Sequence, residues 1–243
     1  MQFVLVDGKG GPDCDRLTPR TWLSAKDDLE DVRAVLRKVH RLMLHRQGAI
    51  ASVLGVTDAW HIGPSPSWPL VIVVIDEAHT FFHERKGTSP EIKAHNALVA
   101  ELSRLVEELI RKGRNVAIQV MLLTQRATGD AIPTRIRDNC QVAISFATRT
   151  LDGAVAALGE EIRQHPDASP VLLNDPAYVG VAVTSLPGRR GFQRVRTPQV
   201  DHHQVAAIIR TTAGLRTDPG ELLAAQAPGL RVVPDTPEPG EVA

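Results

Sequence analysis

The chain has 243 residues, of which 43% are hydrophobic and 23% are charged, and this mixture excludes a wholly disordered chain. Its 28 basic residues are balanced by 28 acidic ones, which argues against a histone-like protein that binds nucleic acid through overall charge. Cys14 and Cys140 form neither a CxxC pair nor a metal-binding spacing, as is typical of a protein in a reducing cytosol. The longest apolar run covers only residues 70–75, far too short to span a bilayer.

Short apolar runs alternate along the chain with longer amphipathic stretches. Residues 3–6 are predicted to form a strand that begins almost at the first residue and ends in a Gly-rich turn. Ser24 and Asp27 resemble a capping box, which predicts a helix from there to about Gln47. A loop rich in Gly and Pro follows at residues 55–69.

The second part of the chain continues this alternation. Residues 70–75 are a continuous run rich in Val and Ile, which predicts a central parallel strand buried on both faces. The later predicted elements are a helix at 92–112, strands at 116–123 and 142–146, a helix near 151–158, a hairpin of 178–184 with 192–195, and a helix capped by Asp201 that ends near residue 210. This order indicates an α/β fold with a mostly parallel sheet.

The sequence divides into a folded region and a tail. Residues 1–213 carry all the predicted strands and helices and are predicted to form one domain. Residues 214–243 contain nine Pro or Gly residues, five acidic residues and two basic ones. This composition predicts a disordered tail at residues 214–243.

The apolar strand at 70–75 runs directly into Asp76 and Glu77, which is a Walker B pattern. In an open parallel sheet, ligands bind where the strands end, so both carboxylates are expected at that edge. Asp76 is a candidate ligand for the water shell of Mg²⁺, which prefers oxygen. Glu77 is a candidate for orienting and polarising the water that attacks a γ-phosphate. The alternative is an ordinary strand whose first loop residues happen to be acidic.

Two further elements belong to the same edge of the predicted sheet. The strand at 116–123 ends in Thr124 and Gln125, which we expect beside the Walker B carboxylates because the strands are parallel. Gln125 is a candidate for bonding the γ-phosphate or the attacking water, and the alternative is a loop amide that caps a strand end. The first strand is followed by Asp7, Gly8, Lys9 and two further glycines. The letters DEAH also suggest a helicase, but the Ser-Ala-Thr motif of such helicases does not occur in the sequence.

The ordered set of these motifs resembles the FtsK/SpoIIIE family of DNA-translocating motor ATPases, including actinobacterial conjugation proteins, over about residues 3–210. The matching segments are Asp7-Gly8-Lys9-Gly10-Gly11, Asp76-Glu77, Gly113-Arg114, Thr124-Gln125-Arg126-Ala127, Ile132-Pro133, Ile136-Arg137-Asp138-Asn139, Asp152, Ala157-Leu158-Gly159 and Leu186-Pro187-Gly188-Arg189. The family has proline at two of these positions, where this chain has Gly8 and Ala127. The resemblance implies a RecA-like P-loop NTPase sheet with helices on both faces.

The resemblance also implies a function and the residues that perform it. The activity is ATP-dependent translocation of double-stranded DNA by a homo-hexamer, with ATP and Mg²⁺ as cofactors and a cytoplasmic location, any membrane anchor lying in missing N-terminal sequence or in partners. The residues implied at the nucleotide are Asp7, Lys9, Asp76 and Thr124 for binding, Glu77 and Gln125 for catalysis, and Arg114 and Arg137 as candidates for an arginine that acts in trans. Arg189, Arg190, Arg194 and Arg196 are the candidate DNA contacts, which need only positive charge, and the alternative is a solvated hairpin.

The sequence departs from such a motor in one important respect. A P-loop, G-x-x-x-x-G-K-[ST], does not occur, because the chain has a single Gly-Lys pair, Gly8-Lys9, which is followed by Gly10 and has Phe3 where the first glycine belongs. The family carries its P-loop upstream of the strand that begins here at residue 3, so the sequence predicts a motor domain truncated at its N-terminus. The alternative function is a non-catalytic paralogue that acts as a binding or assembly subunit, for example in a mixed ring with an intact motor.

Overall fold

The computed structural model describes residues 1–125, 128, 131–186 and 188–227. Its strands are β1 (Gln2–Asp7), β2 (Thr21–Ala25), β3 (Val71–Asp76), β4 (Ile118–Leu122), β5 (Ile144–Ser145), β6 (Val181–Thr184) and β7 (Gln193–Arg196). Its α-helices are α1 (Leu29–Leu54), α2 (Pro90–Lys112), α3 (Thr134–Arg137), α4 (Leu151–Leu158), α5 (His202–Thr212) and α6 (Pro219–Gln226). Within those ranges, each helix is too short or too polar to cross a membrane.

The main sheet has four parallel strands in the order β2-β1-β3-β4. The two central strands, β1 and β3, pair from Gln2 opposite Val71 to Asp7 opposite Asp76. Helices α1 and α2 pack against each other and share one core with the alternate, fully buried residues of these strands. The predicted parallel α/β sheet surrounded by helices is therefore confirmed. Burial of the strand at 70–75 is complete on one face only, since Ile72 and Val74 on the other face are partly exposed.

The helix ends follow local capping chemistry, with one error in the prediction. The segment around Ser24 is not a helix start but strand β2, in which Leu23 lies opposite Val4 of β1. Helix α1 begins only after Asp28, whose carboxylate accepts the N–H groups of Glu30 and Asp31. Pairing with a neighbouring strand, which the local motif cannot reveal, decided the conformation of this segment.

A small antiparallel sheet, β5-β6-β7, forms the second layer of structure. Strands β6 and β7 make the predicted hairpin, with Val181 opposite Arg196 and Thr184 opposite Gln193. Helix α4 coincides with the predicted helix at 151–158 and packs on a core of its own with this sheet. Asp201 caps α5 through a complete capping box with Gln204, which confirms that predicted helix start.

The prediction of a disordered tail from residue 214 is wrong for residues 214–227. This segment contains α6, whose Leu223 is 3% exposed and belongs to the main core. Side chains far away in sequence hold it, because Gln2 donates to the Leu215 carbonyl at 2.8 Å and Lys38 forms an ion pair with Asp218 at 3.3 Å. Composition missed the helix because a few apolar residues suffice when a core is already present. The rest of the predicted tail, residues 228–243, lies outside the described residues.

Candidate functional site

The carboxyl ends of β1, β3 and β4 meet at one edge of the main sheet because the three strands are parallel. Asp7 and Asp76 lie side by side there as the last residues of their paired strands. Asp7 is buried, with 4% of its surface exposed. The Gly8 N–H donates to the Asp76 carbonyl at 2.9 Å, so the first turn is fastened to the end of β3.

The turn after β1 is built around small residues and the Asp7 carboxylate. The Lys9 N–H donates to Asp7 Oδ1 at 2.9 Å, while the Lys9 side chain is exposed. A Cβ on Gly8 would lie 2.8 Å from the carbonyl oxygens of both Asp76 and Glu77, so only glycine lets the backbone approach this closely. The Gly-rich turn therefore sets the distance between the two central strand ends.

Three potential metal ligands converge at this point. Oxygen atoms of Asp7 and Asp76 and the sulfur of Cys14 all lie within 4.8 Å of one another. Burial raises the pKa of the Cys14 thiol, and the negative charges of Asp7 and Asp76 raise it further, so the sulfur stays protonated at neutral pH. The two carboxylates are therefore the effective donors. A pair of carboxylate oxygens fits Mg²⁺, which takes one or two carboxylates and fills its remaining positions with water and phosphate oxygens.

Glu77 lies in a strained turn immediately after β3. Its backbone adopts the left-handed conformation, with φ 49° and ψ 47°, which is uncommon for a residue with a side chain. Its carboxylate is held from two sides, by the Gln125 N–H at 3.1 Å from Oε2 and by His79 Nδ1 at 3.3 Å from Oε1. The side chain is 14% exposed, so it is fixed in place and still reaches solvent.

The end of β4 lies next to this turn, as the sequence predicted. The Ala78 N–H donates to the Leu123 carbonyl at 2.8 Å, and Thr124 Oγ1 lies 3.4 Å from His79 Nδ1. Glu77, His79, Thr124 and Gln125 therefore form one connected cluster across the ends of two strands. Sequence reasoning missed the contribution of His79, although its position two residues after a strand-end glutamate was visible.

Two of the predicted site residues lie elsewhere in the described structure. Arg114 precedes β4 and therefore sits at the opposite edge of the sheet, where it pairs with Asp58 at 3.7 Å. Arg137 ends the short helix α3 and donates to the Ala156 carbonyl at 3.3 Å. Within one chain, neither arginine is brought to the carboxylates, so a role in trans stays a prediction for both.

The four arginines of the predicted DNA-binding patch are all exposed on and beside the β6–β7 hairpin. Arg194 donates to the Asp167 carbonyl at 2.6 Å, and its guanidinium lies 5.7 Å from the centre of the Tyr178 ring. Arg196 donates to the carbonyls of Val179 and Ala177. These two side chains stabilise the hairpin, while Arg189 and Arg190 lie in the preceding turn. Their contact with DNA stays a prediction.

Comparison with known proteins gives matches among solved structures. No family model and no curated protein sequence matches the chain. The pCW3 conjugation coupling protein TcpA, in its monomer form with ATPγS, has a TM-score of 0.63 and 14% identity, and the match covers 93% of this chain and 56% of TcpA.

Two further matches are secretion ATPases. The cytoplasmic domain of the type VII secretion ATPase EccC from Thermomonospora curvata has a TM-score of 0.56 and 17% identity, over 88% of this chain and 24% of EccC. ATPases 2 and 3 of EssC from Geobacillus thermodenitrificans have a TM-score of 0.55 and 14% identity, over 97% of this chain and 41% of EssC. This chain thus spans little more than half of the first neighbour and less of the others.

All three neighbours are FtsK/SpoIIIE-type motors. The resemblance that the sequence motifs indicated is therefore confirmed at the level of the fold, with P-loop ATPase domains as the solved relatives. The chain has the RecA-like fold of FtsK/SpoIIIE-type motor ATPase domains.

Proposed function

We propose that this chain forms part of an ATP-driven motor of the FtsK/SpoIIIE type that moves double-stranded DNA. The observation that carries the proposal is the joint position of the Asp7–Asp76 pair and the cluster around Glu77 at the carboxyl edge of a RecA-like sheet. This edge is where open parallel sheets bind their ligands. The neighbour TcpA was solved with ATPγS, which supports ATP as the nucleotide.

Each side chain has a distinct task in this proposal. Mg²⁺ bound to ATP neutralises the charge that develops on the transferred phosphoryl group. Asp76, supported by the neighbouring Asp7, holds the water shell of the ion. Glu77 orients and polarises the attacking water, and its two contacts with Gln125 N–H and His79 keep the carboxylate in one position. The Gln125 side chain is exposed beside it and is positioned for the γ-phosphate, and Thr124 and Lys9 lie at the same edge.

The partners of the motor follow from the same proposal. A ring of identical subunits would place an arginine of one subunit against the nucleotide of the next, with Arg114 and Arg137 as the candidates. Duplex DNA would contact the exposed arginines of the hairpin, led by Arg189 and Arg190, through its phosphates. The motor would act in the cytoplasm.

A second function is favoured by one specific observation, the absence of the sequence G-x-x-x-x-G-K-[ST] from the chain. The backbone N–H groups and lysine of such a loop supply most of the phosphate contacts in P-loop enzymes. A subunit without them would bind nucleotide weakly and would serve in assembly, for example in a mixed ring with an intact motor.

Replacing Glu77 with Gln tests the motor proposal. The variant keeps the size of the side chain and its contact with the Gln125 N–H but removes the base. We expect hydrolysis of Mg·ATP, measured with and without linear duplex DNA, to fall by about 10²–10⁴-fold. The affinity for Mg·ATPγS, measured by calorimetry, should change by less than about threefold, because the nucleotide contacts remain.

Glu84→Gln is the matched control, because Glu84 is an exposed acid a few residues after Glu77, and it should leave both quantities unchanged. A native chain that neither binds Mg·ATPγS nor hydrolyses ATP in the presence of DNA would contradict the motor proposal and favour the assembly subunit.

A further inference from the structure

The outer side of β4 is an unpaired sheet edge in the part of the chain that the structure describes. β4 is the last strand of the main sheet and pairs there with β3 alone. The Leu123 N–H donates to the Ile75 carbonyl at 2.9 Å, so odd-numbered positions turn their backbone groups toward β3. Because strands alternate, the N–H and C=O groups of Val120 and Leu122 point away from the sheet. This edge can accept another strand.

Exposed apolar side chains accompany this edge. Met121 and Leu123 are 49% and 41% exposed on the sheet face that α1 and α2 leave uncovered. The edge strand of the small sheet shows the same pattern, since the alternate residues Val142, Ile144 and Phe146 are 47–55% exposed. Soluble proteins usually shorten, charge or cover such edges, because open backbone groups beside apolar side chains attract other chains.

The β4 edge has a definite relation to the candidate site. Its carboxyl end leads directly into Thr124 and Gln125, next to the held carboxylate of Glu77. A strand added parallel to β4 would deliver its own carboxyl end to the same place. The other edge of the sheet, β2, is separated from β3 by β1 and so lies farther from Glu77. A phosphate-binding loop that serves this site is therefore best placed at the end of a strand beside β4.

We propose that the edge of β4 binds a strand from another polypeptide, and that this strand ends in a phosphate-binding loop followed by a helix. The inference rests on the motor function proposed above and names the partner that the function requires. The main-chain groups of Val120 and Leu122 pair with the incoming strand, as in other cases of β-augmentation. Met121 and Leu123 pack under the apolar side of the following helix, whose N-terminal N–H groups bind the phosphates beside Asp76.

The test joins such a unit to the full chain. The strand, P-loop and first helix of pCW3 TcpA are fused to Met1 through a flexible Gly/Ser linker, which gives an effective concentration in the millimolar range. Amide hydrogen exchange of Val120 and Leu122 is followed by NMR. We expect exchange at both amides to slow by at least about tenfold relative to the unfused chain. Equal exchange rates in the fused and unfused chains would overturn the proposal.

Lysine substitutions show whether the protection arises at this surface. Met121→Lys with Leu123→Lys should restore fast exchange in the fusion, and both positions are exposed, so the chain should still fold. Ile208→Lys is the matched control, because Ile208 is an apolar residue of α5 that is 54% exposed, and it should leave the protection intact. Protection that survives the double substitution would also overturn the proposal.

Hydrolysis of Mg·ATP by the same samples separates this inference from the motor function. A protected edge without hydrolysis would mean that the strand docks and that the motor function is wrong. Hydrolysis by the unfused chain, together with an unprotected edge in the fusion, would mean that the motor function holds and that the docking proposal is wrong.

Discussion

Replacing Arg46 with Met is expected to lower the free energy of unfolding by about 2–4 kcal/mol. Arg46 is a residue of α1 that is 1% exposed, and its guanidinium lies 5.0 Å from the centre of the Trp68 ring. It donates to the carbonyls of Pro69 and Val116 at 2.9 Å and of Ala117 at 3.3 Å. These carbonyls precede β3 and β4, so one side chain ties α1 to the starts of both strands. Burial lowers the pKa of Arg46 to about 9, which still leaves it charged at neutral pH.

The magnitude follows from what the substitution leaves behind. The carbonyl of Val116 keeps a donor in Trp68 Nε1, and that of Ala117 keeps the Val71 N–H. The carbonyl of Pro69 has Arg46 as its one donor among the described residues, so it is left buried without a partner, which costs about 1–3 kcal/mol. The lost charge-assisted bonds add to this cost, and release of the guanidinium from its buried position offsets part of it. Met preserves most of the packing on the ring.

Urea unfolding followed by tryptophan fluorescence measures the change, and thermal unfolding should show a fall in Tm of about 2–4 °C for each kcal/mol. Arg37→Met on the same helix is the control, because Arg37 is 46% exposed and its ion pair with Glu101 should contribute less than about 1 kcal/mol. An Arg46→Met variant as stable as Arg37→Met would refute the reasoning that these carbonyls depend on Arg46.

Three other substitutions test separate parts of the fold. Gly8→Ala should destabilise the chain by about 1–3 kcal/mol in urea unfolding, because the new Cβ would meet two backbone oxygens at 2.8 Å, and a stability equal to that of the native chain would show that the turn can move aside. Glu108→Gln should cost about 1 kcal/mol at pH 7, because the hydrogen bond from His40 and then those from two basic neighbours lower the pKa of Glu108 from 4.5 to about 2. That stabilisation is fully present above about pH 5 and is lost as the pH falls through 2, so a difference between the two proteins that persists at pH 2 would contradict the assignment. Leu223→Ala should cost about 2–5 kcal/mol because α6 belongs to the core, whereas Leu215→Ala, at a residue that is 60% exposed, should cost far less, and equal effects would argue against the docking of α6.

The parts of the fold that the sequence predicted best are those in which local and tertiary preferences agree. The capping box at Asp201, the helix at 151–158 and the hairpin around Val181 are examples. The site was partly predictable for the same reason. Apolar strands that end in polar residues place Asp76 and Gln125 at one edge once the sheet is parallel, and the contact between Glu77 and the Gln125 N–H confirms that position.

The errors arise where distant segments decide the local structure. Ser24 has the sequence of a helix start, but pairing with β1 makes its segment a strand. The segment after residue 213 has the composition of a tail, but Leu223 finds an apolar surface on the main core. In both cases, the stabilising contacts come from residues that a local pattern does not contain.

The sequence by itself determined the parallel α/β class, the strand-end positions of Asp76 and Glu77, and the absence of a P-loop sequence, because these depend on periodicity and on residue identity. Only the tertiary structure decided which groups touch. It placed His79 on Glu77 and Cys14 beside the two aspartates, and it left the edge of β4 open. The physical reason is that a hydrogen bond, a pKa or an unpaired strand edge depends on neighbours in space, and those neighbours come from segments far apart in the chain.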